Sequence, residues 1–140
     1  MQWSGAVNAG FSSDSVIPWL PLHLDHATRN VEDMRADPDS LYNFYRALIA
    51  LRKSHPALRE GLFNPVTFGT RFIMAYLRQT KEETILVALN FSRLRQRLVL
   101  GGQLTRGSFG LLLSSARAEV PQIQNGILTL EPFEAMILSI

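Results

Sequence analysis

The chain contains no cysteine, which excludes a disulfide framework, a thiolate nucleophile and any zinc site built on sulfur. No apolar run approaches the roughly 20 residues that a membrane-spanning helix needs. Residues 1–10 have neither the basic start nor the apolar stretch of a signal peptide. Charge of one sign is scarce as well. The 14 Lys and Arg against 12 Asp and Glu leave a formal charge of only +2. The basic residues are spread from Arg29 to Arg117, so no clustered patch suits a nucleic-acid backbone. Even the densest stretch, Arg93, Arg95 and Arg97, alternates as a solvated face does. The absences point to a cytoplasmic protein with no nucleic-acid and no membrane partner.

What is present is ordinary globular material. A 46% hydrophobic and 19% charged composition argues against disorder. The length of 140 residues suffices for one domain with a core and an attached segment. Residues 1–29 are rich in Gly, Ser, Asn and Pro, yet they carry Trp3, Phe11 and Trp19. This reads as a packed irregular loop rather than a linker. Asn30 suits an N-cap for a short turn through Glu32, Asp33 and Met34. Asp37-Pro38-Asp39-Ser40 then reads as a helix start, with Asp37 as N-cap and Pro38 in the first helical position. Leu41, Phe44, Tyr45, Leu48 and Leu51 follow at helical spacing, and His55-Pro56 closes the helix.

From residue 63 the period changes. Short apolar or alternating runs at 72–77, 84–89, 97–100, 111–113, 127–130 and 135–140 are separated by turn signals. The turns are Lys81-Glu82-Glu83, Gly101-Gly102, Gly107, Asn125-Gly126 and Glu131-Pro132. Glu82-Glu83 reads as a solvated hairpin turn. The expected fold is therefore mainly β: an antiparallel β-sandwich preceded by a loop and a helix. The division falls between residues 1–62 and 63–140.

In order, Met1-Gln2-Trp3, Asn8-Ala9-Gly10-Phe11-Ser12, Pro18-Trp19-Leu20-Pro21, Asn30-Val31-Glu32 and Asp37-Pro38-Asp39-Ser40-Leu41 form a series of short motifs. Residues 43–53, His55-Pro56-Ala57-Leu58, Leu86-Val87-Ala88-Leu89-Asn90-Phe91-Ser92 and Leu128-Thr129-Leu130-Glu131-Pro132-Phe133 continue it. The series resembles the C-terminal portion of α-glucosidases and oligo-1,6-glucosidases of the α-amylase superfamily, glycoside hydrolase family 13. The resemblance implies that residues 1–62 are the last loop and helix of a (β/α)8 barrel and that residues 63–140 are the C-terminal β-sandwich. It also implies that the sequence begins inside the eighth βα loop. Met1 coincides with the methionine of the family's Met-Gln-Trp motif, so the expectation is a reading frame opened at an internal methionine.

Enzymes of this family are retaining glycosidases, which need two carboxyl groups about 5 Å apart with separated pKa values. The resemblance places those groups upstream of Met-Gln-Trp, so no catalytic residue is carried onto this sequence. Among the carboxylates present, the helix-start group has a capping explanation, Asp14 and Asp25 lie in the first loop, and Asp14 is the one to watch for a catalytic role. His23, His26 and His55 lack supported ligand spacing, so neither metal nor cofactor is expected. Trp3, Asn8 and Phe11 are the candidate substrate-binding residues, the two aromatics offering platforms for the apolar faces of sugar rings. The expected function is that of a non-catalytic C-terminal fragment of an α-glucosidase-like enzyme acting on short α-glucosides, its β-domain stabilising the barrel. Partners would be an α-glucan oligosaccharide through the parent enzyme, or a separately encoded barrel that this chain complements. The alternative is a free-standing carbohydrate-binding module. Such a module needs exposed aromatic side chains, whereas most of Phe68, Phe72, Tyr76, Phe91, Phe109 and Phe133 fall at core-like positions.

Overall fold

The computed structural model describes residues 1–66, 71–102, 104, 107–120 and 122–140; Phe68 lies outside them. Two compact units, Met1–Leu48 and Ile49–Ile140, divide within the second helix.

In the first unit an irregular loop leads to helix α1, Val31–Ala36. Asn30 caps it as expected: its backbone is extended and its side chain accepts from the Asp33 N–H at 2.9 Å. Glu32 and Asp33 place negative charge at the positive helix end. The next helix, α2 (Leu41–Ser54), begins later than the Asp-Pro pattern suggests. Ser40 accepts at its Oγ from the Asn43 N–H at 3.2 Å and at its carbonyl from the Phe44 N–H at 3.0 Å. Asp37 instead closes α1, and its carboxylate takes the Asp39 N–H. Asn43 Nδ2 ties the turn by donating to the Met34 and Asp37 carbonyls at 3.0 and 2.7 Å. Asp37 terminates one helix and cannot also start the next. The α2 stripe exists, but it buries no residue fully, and Leu41 and Tyr45 are exposed.

The second unit begins with the end of α2, where Arg52 and Lys53 meet the negative helix terminus. A short helix, α3 (Pro56–Glu60), and an edge strand, β1 (Leu62–Pro65), follow; neither stands out in the sequence. The remaining strands are β2 (Ile73–Gln79), β3 (Thr84–Asn90), β4 (Gln96–Val99), β5 (Gly110–Ser114), β6 (Ile127–Leu130) and β7 (Ala135–Ser139). These lie within two residues of the apolar runs. All pairings are antiparallel. One sheet has the order β1-β2-β3-β7-β5, and the other is the pair β4-β6. Asn125 and Gly126 both take positive φ, and the Ile127 N–H returns to the Gln124 carbonyl at 2.9 Å. That is the turn chemistry an Asn-Gly pair supplies.

The core lies between the two sheets. Ile73 and Ala75 of β2, Leu86 and Ala88 of β3, and Met136 and Leu138 of β7 meet Leu98, Leu100, Leu128 and Leu130. The alternation of buried and open positions along β6 is the period-2 pattern of a sheet with one face inward. Strand β3 differs. Ile85, Leu86, Val87 and Ala88 are all buried, so this central strand is covered on both faces.

Two polar clusters hold the second unit together, and both use acids whose role the sequence conceals. Glu83, expected to be solvated, is instead only partly exposed. It bonds His55 Nδ1 and accepts the Ala57 N–H at 3.0 Å, capping α3. Burial pushes its carboxyl up, but the His55 bond, the Ala57 N–H and the His55 charge outweigh it and hold its pKa below the ordinary value. The Glu134 side chain is wholly buried. It accepts from Arg117 Nε at 2.7 Å and from Arg117 Nη2, from Ser114 Oγ at 2.8 Å and from the Glu131 N–H at 2.7 Å. Burial raises this carboxyl too, and the Arg117 bond, the Glu131 N–H, the Ser114 hydroxyl and the Arg117 charge bring it below the ordinary value.

Candidate functional site

The candidate residues Trp3, Asn8 and Phe11 share one tight loop in the first unit. The Trp3 N–H donates to the Ala9 carbonyl at 2.8 Å, and the Phe11 N–H to the Asn8 carbonyl at 2.9 Å. Ala9 and Gly10 both have positive φ. A side chain at Gly10 would meet the Trp3 Cβ at 2.9 Å, so the glycine serves both the turn and the close packing of Trp3.

The loop is joined to α1 through groups that would otherwise be orphaned at the helix start. The Val31 N–H reaches the Gln2 carbonyl and the Glu32 N–H the Trp3 carbonyl, each at 3.0 Å. Gln2 Nε2 donates to Asp25 Oδ1 at 2.9 Å, and Asn30 Nδ2 to the His26 carbonyl at 3.0 Å. The Met-Gln-Trp, Asn-Ala-Gly-Phe and Asn-Val-Glu stretches therefore form one interlocked structure.

The three candidates differ in what they present. Asn8 is buried, and its Nδ2 is spent on the Ser13 and Val16 carbonyls at 2.6 and 2.8 Å. Trp3 and Phe11 are about half exposed. They border different hollows: Trp3 stands with Glu32, Arg35 and Tyr42, whereas Phe11 stands with Ile17, Trp19 and Leu20 around about 480 Å³ of apolar space. The loop brings the three together in sequence but does not converge the two rings on one cavity. Ser12 Oγ, in the Phe11 hollow, is buried without a hydrogen-bond partner.

Asp25 and the two histidines of the loop have local partners. Asp25 bonds Gln2, His23 and Arg29, and His26 Nδ1 meets the His23 carbonyl. Asp14 is exposed. Among the described residues no group of three or more His, Asp or Glu is arranged to hold a metal ion. None of the described helices is long and apolar enough to cross a membrane.

Residues 1–61 match the family model described as the alpha amylase catalytic domain, and residues 73–137 match the alpha-amylase SusG C-terminal domain. The probable oligo-1,6-glucosidase 2 of Bacillus subtilis (strain 168) is 36% identical over 66% of this chain and 16% of its own length. The trehalose-6-phosphate hydrolase of Escherichia coli (strain K12) is 35% identical over 97% of this chain and 24% of its own. Among solved structures, trehalulose synthase MutB of Pseudomonas mesoacidophila MX-45 superposes with a TM-score of 0.84 at 29% identity. It covers 99% of this chain, which spans 24% of that structure. The chain belongs to the α-amylase superfamily, glycoside hydrolase family 13, and resembles the α-glucosidase-like members. It spans about a quarter or less of the length of these relatives.

Proposed function

We propose that the chain is the non-catalytic C-terminal part of an α-glucosidase-like glycoside hydrolase acting on short α-glucosides, with the β-domain stabilising the catalytic barrel. The observation that carries this reading is the succession of matches, catalytic domain over residues 1–61 and C-terminal domain over residues 73–137. The carboxylates of Asp25, Asp33 and Asp37 support it, because they are used in capping and loop bonds rather than gathered around a walled cleft. Trp3 and Phe11 would then contribute to the rim of a sugar site completed by a barrel, with Asn8 holding the loop that presents them. A cytoplasmic site of action accompanies this reading, and cell fractionation tests it.

The chain alone should release no 4-nitrophenol from 4-nitrophenyl α-glucoside and no glucose from isomaltose. Supplied with a catalytic-domain polypeptide, separately encoded or fused, it should support turnover. Hydrolysis by the chain alone that disappears in Asp14→Asn would overturn the proposal. The exposure of Phe72, Phe91 and Phe133, where most of the strand-zone aromatics read as core-like, favours a second possibility: a free-standing carbohydrate-binding module. Retardation of the chain in starch or maltodextrin gels would support that alternative.

A further inference from the structure

The pair β4–β6 has an outward face as well as the face that lines the core. Leu98, Leu100, Leu128 and Leu130 are buried in that core, so the residues alternating with them point away from it. Register sets the outward residues in cross-strand rows, Arg97–Thr129 and Val99–Ile127. One step beyond the strand ends the same register opposes Arg95 to Glu131, whose side chains meet at 2.9 and 3.1 Å. Arg117, from the connection between β5 and β6, reaches this face through its Nη2, which lies 3.4 Å from the Thr129 carbonyl and 4.0 Å from Glu131 Oε1. Gln122 and Gln124, linked to each other at 3.3 Å, complete the rim of a hollow of about 320 Å³. Small-molecule sites begin at about that size.

The charges of the hollow do not balance. Arg95 is spent on Glu131, and Arg117 on the wholly buried Glu134. Among the described residues Arg97 has neither a hydrogen bond nor an ion pair. An acid is the stabilising partner for a cation across an antiparallel pair, and the Arg95–Glu131 row has one. The next row sets a threonine opposite its arginine. Three guanidinium groups against two carboxylates leave one positive charge, and it is the charge of Arg97.

The wall around Arg97 is built in advance. Glu134 is enclosed and accepts from Ser114, the Glu131 N–H and Arg117. Arg117 therefore cannot swing away without stranding a buried charge. Glu131 also lines the hollow, but Arg95 and Arg117 stand against it. Arg93 belongs to the same alternation, is exposed and does not line the hollow. It is the natural control.

The open donors are a guanidinium fork, a hydroxyl and side-chain amides. Such a set matches the several oxygens of a tetrahedral oxyanion. The adjoining Val99–Ile127 row is apolar, with Val99 half exposed, so an uncharged organic group has a surface beside the anion. We infer that this hollow binds a phosphate monoester of a small organic molecule, its phosphate on Arg97 and Thr129 and its organic part against Val99 and Ile127. The site lies wholly within the second unit and is independent of the function proposed above.

Titration of the isotope-labelled full chain, followed by amide nuclear magnetic resonance, tests the inference. The probes are phenyl phosphate, inorganic phosphate and sulfate, each balanced with sodium chloride to an ionic strength of about 0.1 M. A pH of about 7.5 keeps the phosphates mostly doubly charged. Phenyl phosphate should give saturable shifts confined to residues 95–99, 117 and 122–129, with inorganic phosphate binding more weakly. Arg97→Gln should weaken phenyl phosphate binding at least about tenfold. Arg97→Lys, which keeps the charge but not the fork, should fall between the two. Arg93→Gln should bind as the native chain does. Both arginines are exposed, so all three variants should melt within about 2 °C of the native chain. Equal weakening by Arg93→Gln and Arg97→Gln would overturn the site in favour of a diffuse charge effect. Sulfate that saturates as tightly as phenyl phosphate would overturn it in favour of an adventitious ion only. Equal affinity for the two phosphates would overturn the assignment to an ester, and the absence of any saturable shift would overturn the whole inference.

Discussion

Arg117→Ala should be the most damaging single truncation of a charged side chain in the second unit. Glu134 is wholly enclosed, and Arg117 supplies two of its four hydrogen bonds and its compensating charge. Removing one partner of a buried pair costs about 3–5 kcal/mol, because the other charge stays desolvated. Arg117 keeps some contact with water, and Ser114 and the Glu131 N–H remain, so about 3 kcal/mol is expected. The neighbouring Arg95–Glu131 pair at 2.9 Å has a mostly exposed arginine, and such a pair contributes less than about 1 kcal/mol. Burial, not distance, decides between them. The pH dependence has a definite sign. In the native protein the Glu134 pKa lies below 4.5, so its contribution is present above that pH and is lost as pH falls through the lower folded value. Without Arg117 the burial penalty dominates, and protonation relieves it. The stability gap between native chain and variant should therefore narrow from pH 7 to pH 4. Urea unfolding followed by far-UV circular dichroism measures it. Both tryptophans, Trp3 and Trp19, lie in the first unit, so fluorescence would follow the wrong part. A loss below about 1 kcal/mol at pH 7, or an equal loss at both pH values, would refute the reasoning.

Glu83→Ala should cost about 1–2 kcal/mol at pH 7, through the lost His55 pair and the uncapped Ala57 N–H. Because the Glu83 pKa is held below its ordinary 4.5, this cost should also shrink as pH falls through the folded value, which thermal melts at pH 7 and pH 4 would show. Asn90→Ala should cost about 2–3 kcal/mol by equilibrium unfolding. It strands the acceptors Leu94 O and Glu131 O and removes the Oδ1 that receives the Ser92 N–H. A loss no larger than that of a surface alanine substitution would show that the Asn90 bonds are replaced by water.

The strands were readable because strand periodicity and turn chemistry are local. The Asn125-Gly126 turn and the Asn30 cap need only neighbouring residues, and both form as their side chains dictate. The start of α2 was misplaced because Asp37-Pro38 satisfies two local rules, a helix stop and a helix start, and only the Asn43 and Ser40 bonds decide between them. Strand β1 and helix α3 are too short for periodicity to register. In the loop, the motif residues marked Trp3, Asn8 and Phe11. The division of labour, with Asn8 locking the loop and the rings facing separate hollows, depends on bonds to residues 13 and 16 that no spacing rule encodes.

The inward acids and the exposed phenylalanines escape sequence reading for a shared reason. Alternation assigns residues to two faces of a strand, but it does not say which face is covered when both are apolar. Strand β3 is buried at four consecutive positions, so Phe91, one residue beyond its end, inherits a core-like pattern from Leu89 and Val87. Its exposure depends on what covers that face, and α3, which packs on β2 and β3, is set by residues about 30 positions earlier. Glu83 carries the complementary error, and Glu134, on which the sequence is silent, is concealed in the same way. Each is an acid at a turn, where solvation is the ordinary expectation, and each is drawn inward by a partner far away in sequence, His55 and Arg117. Both errors concern surfaces that only tertiary partners define.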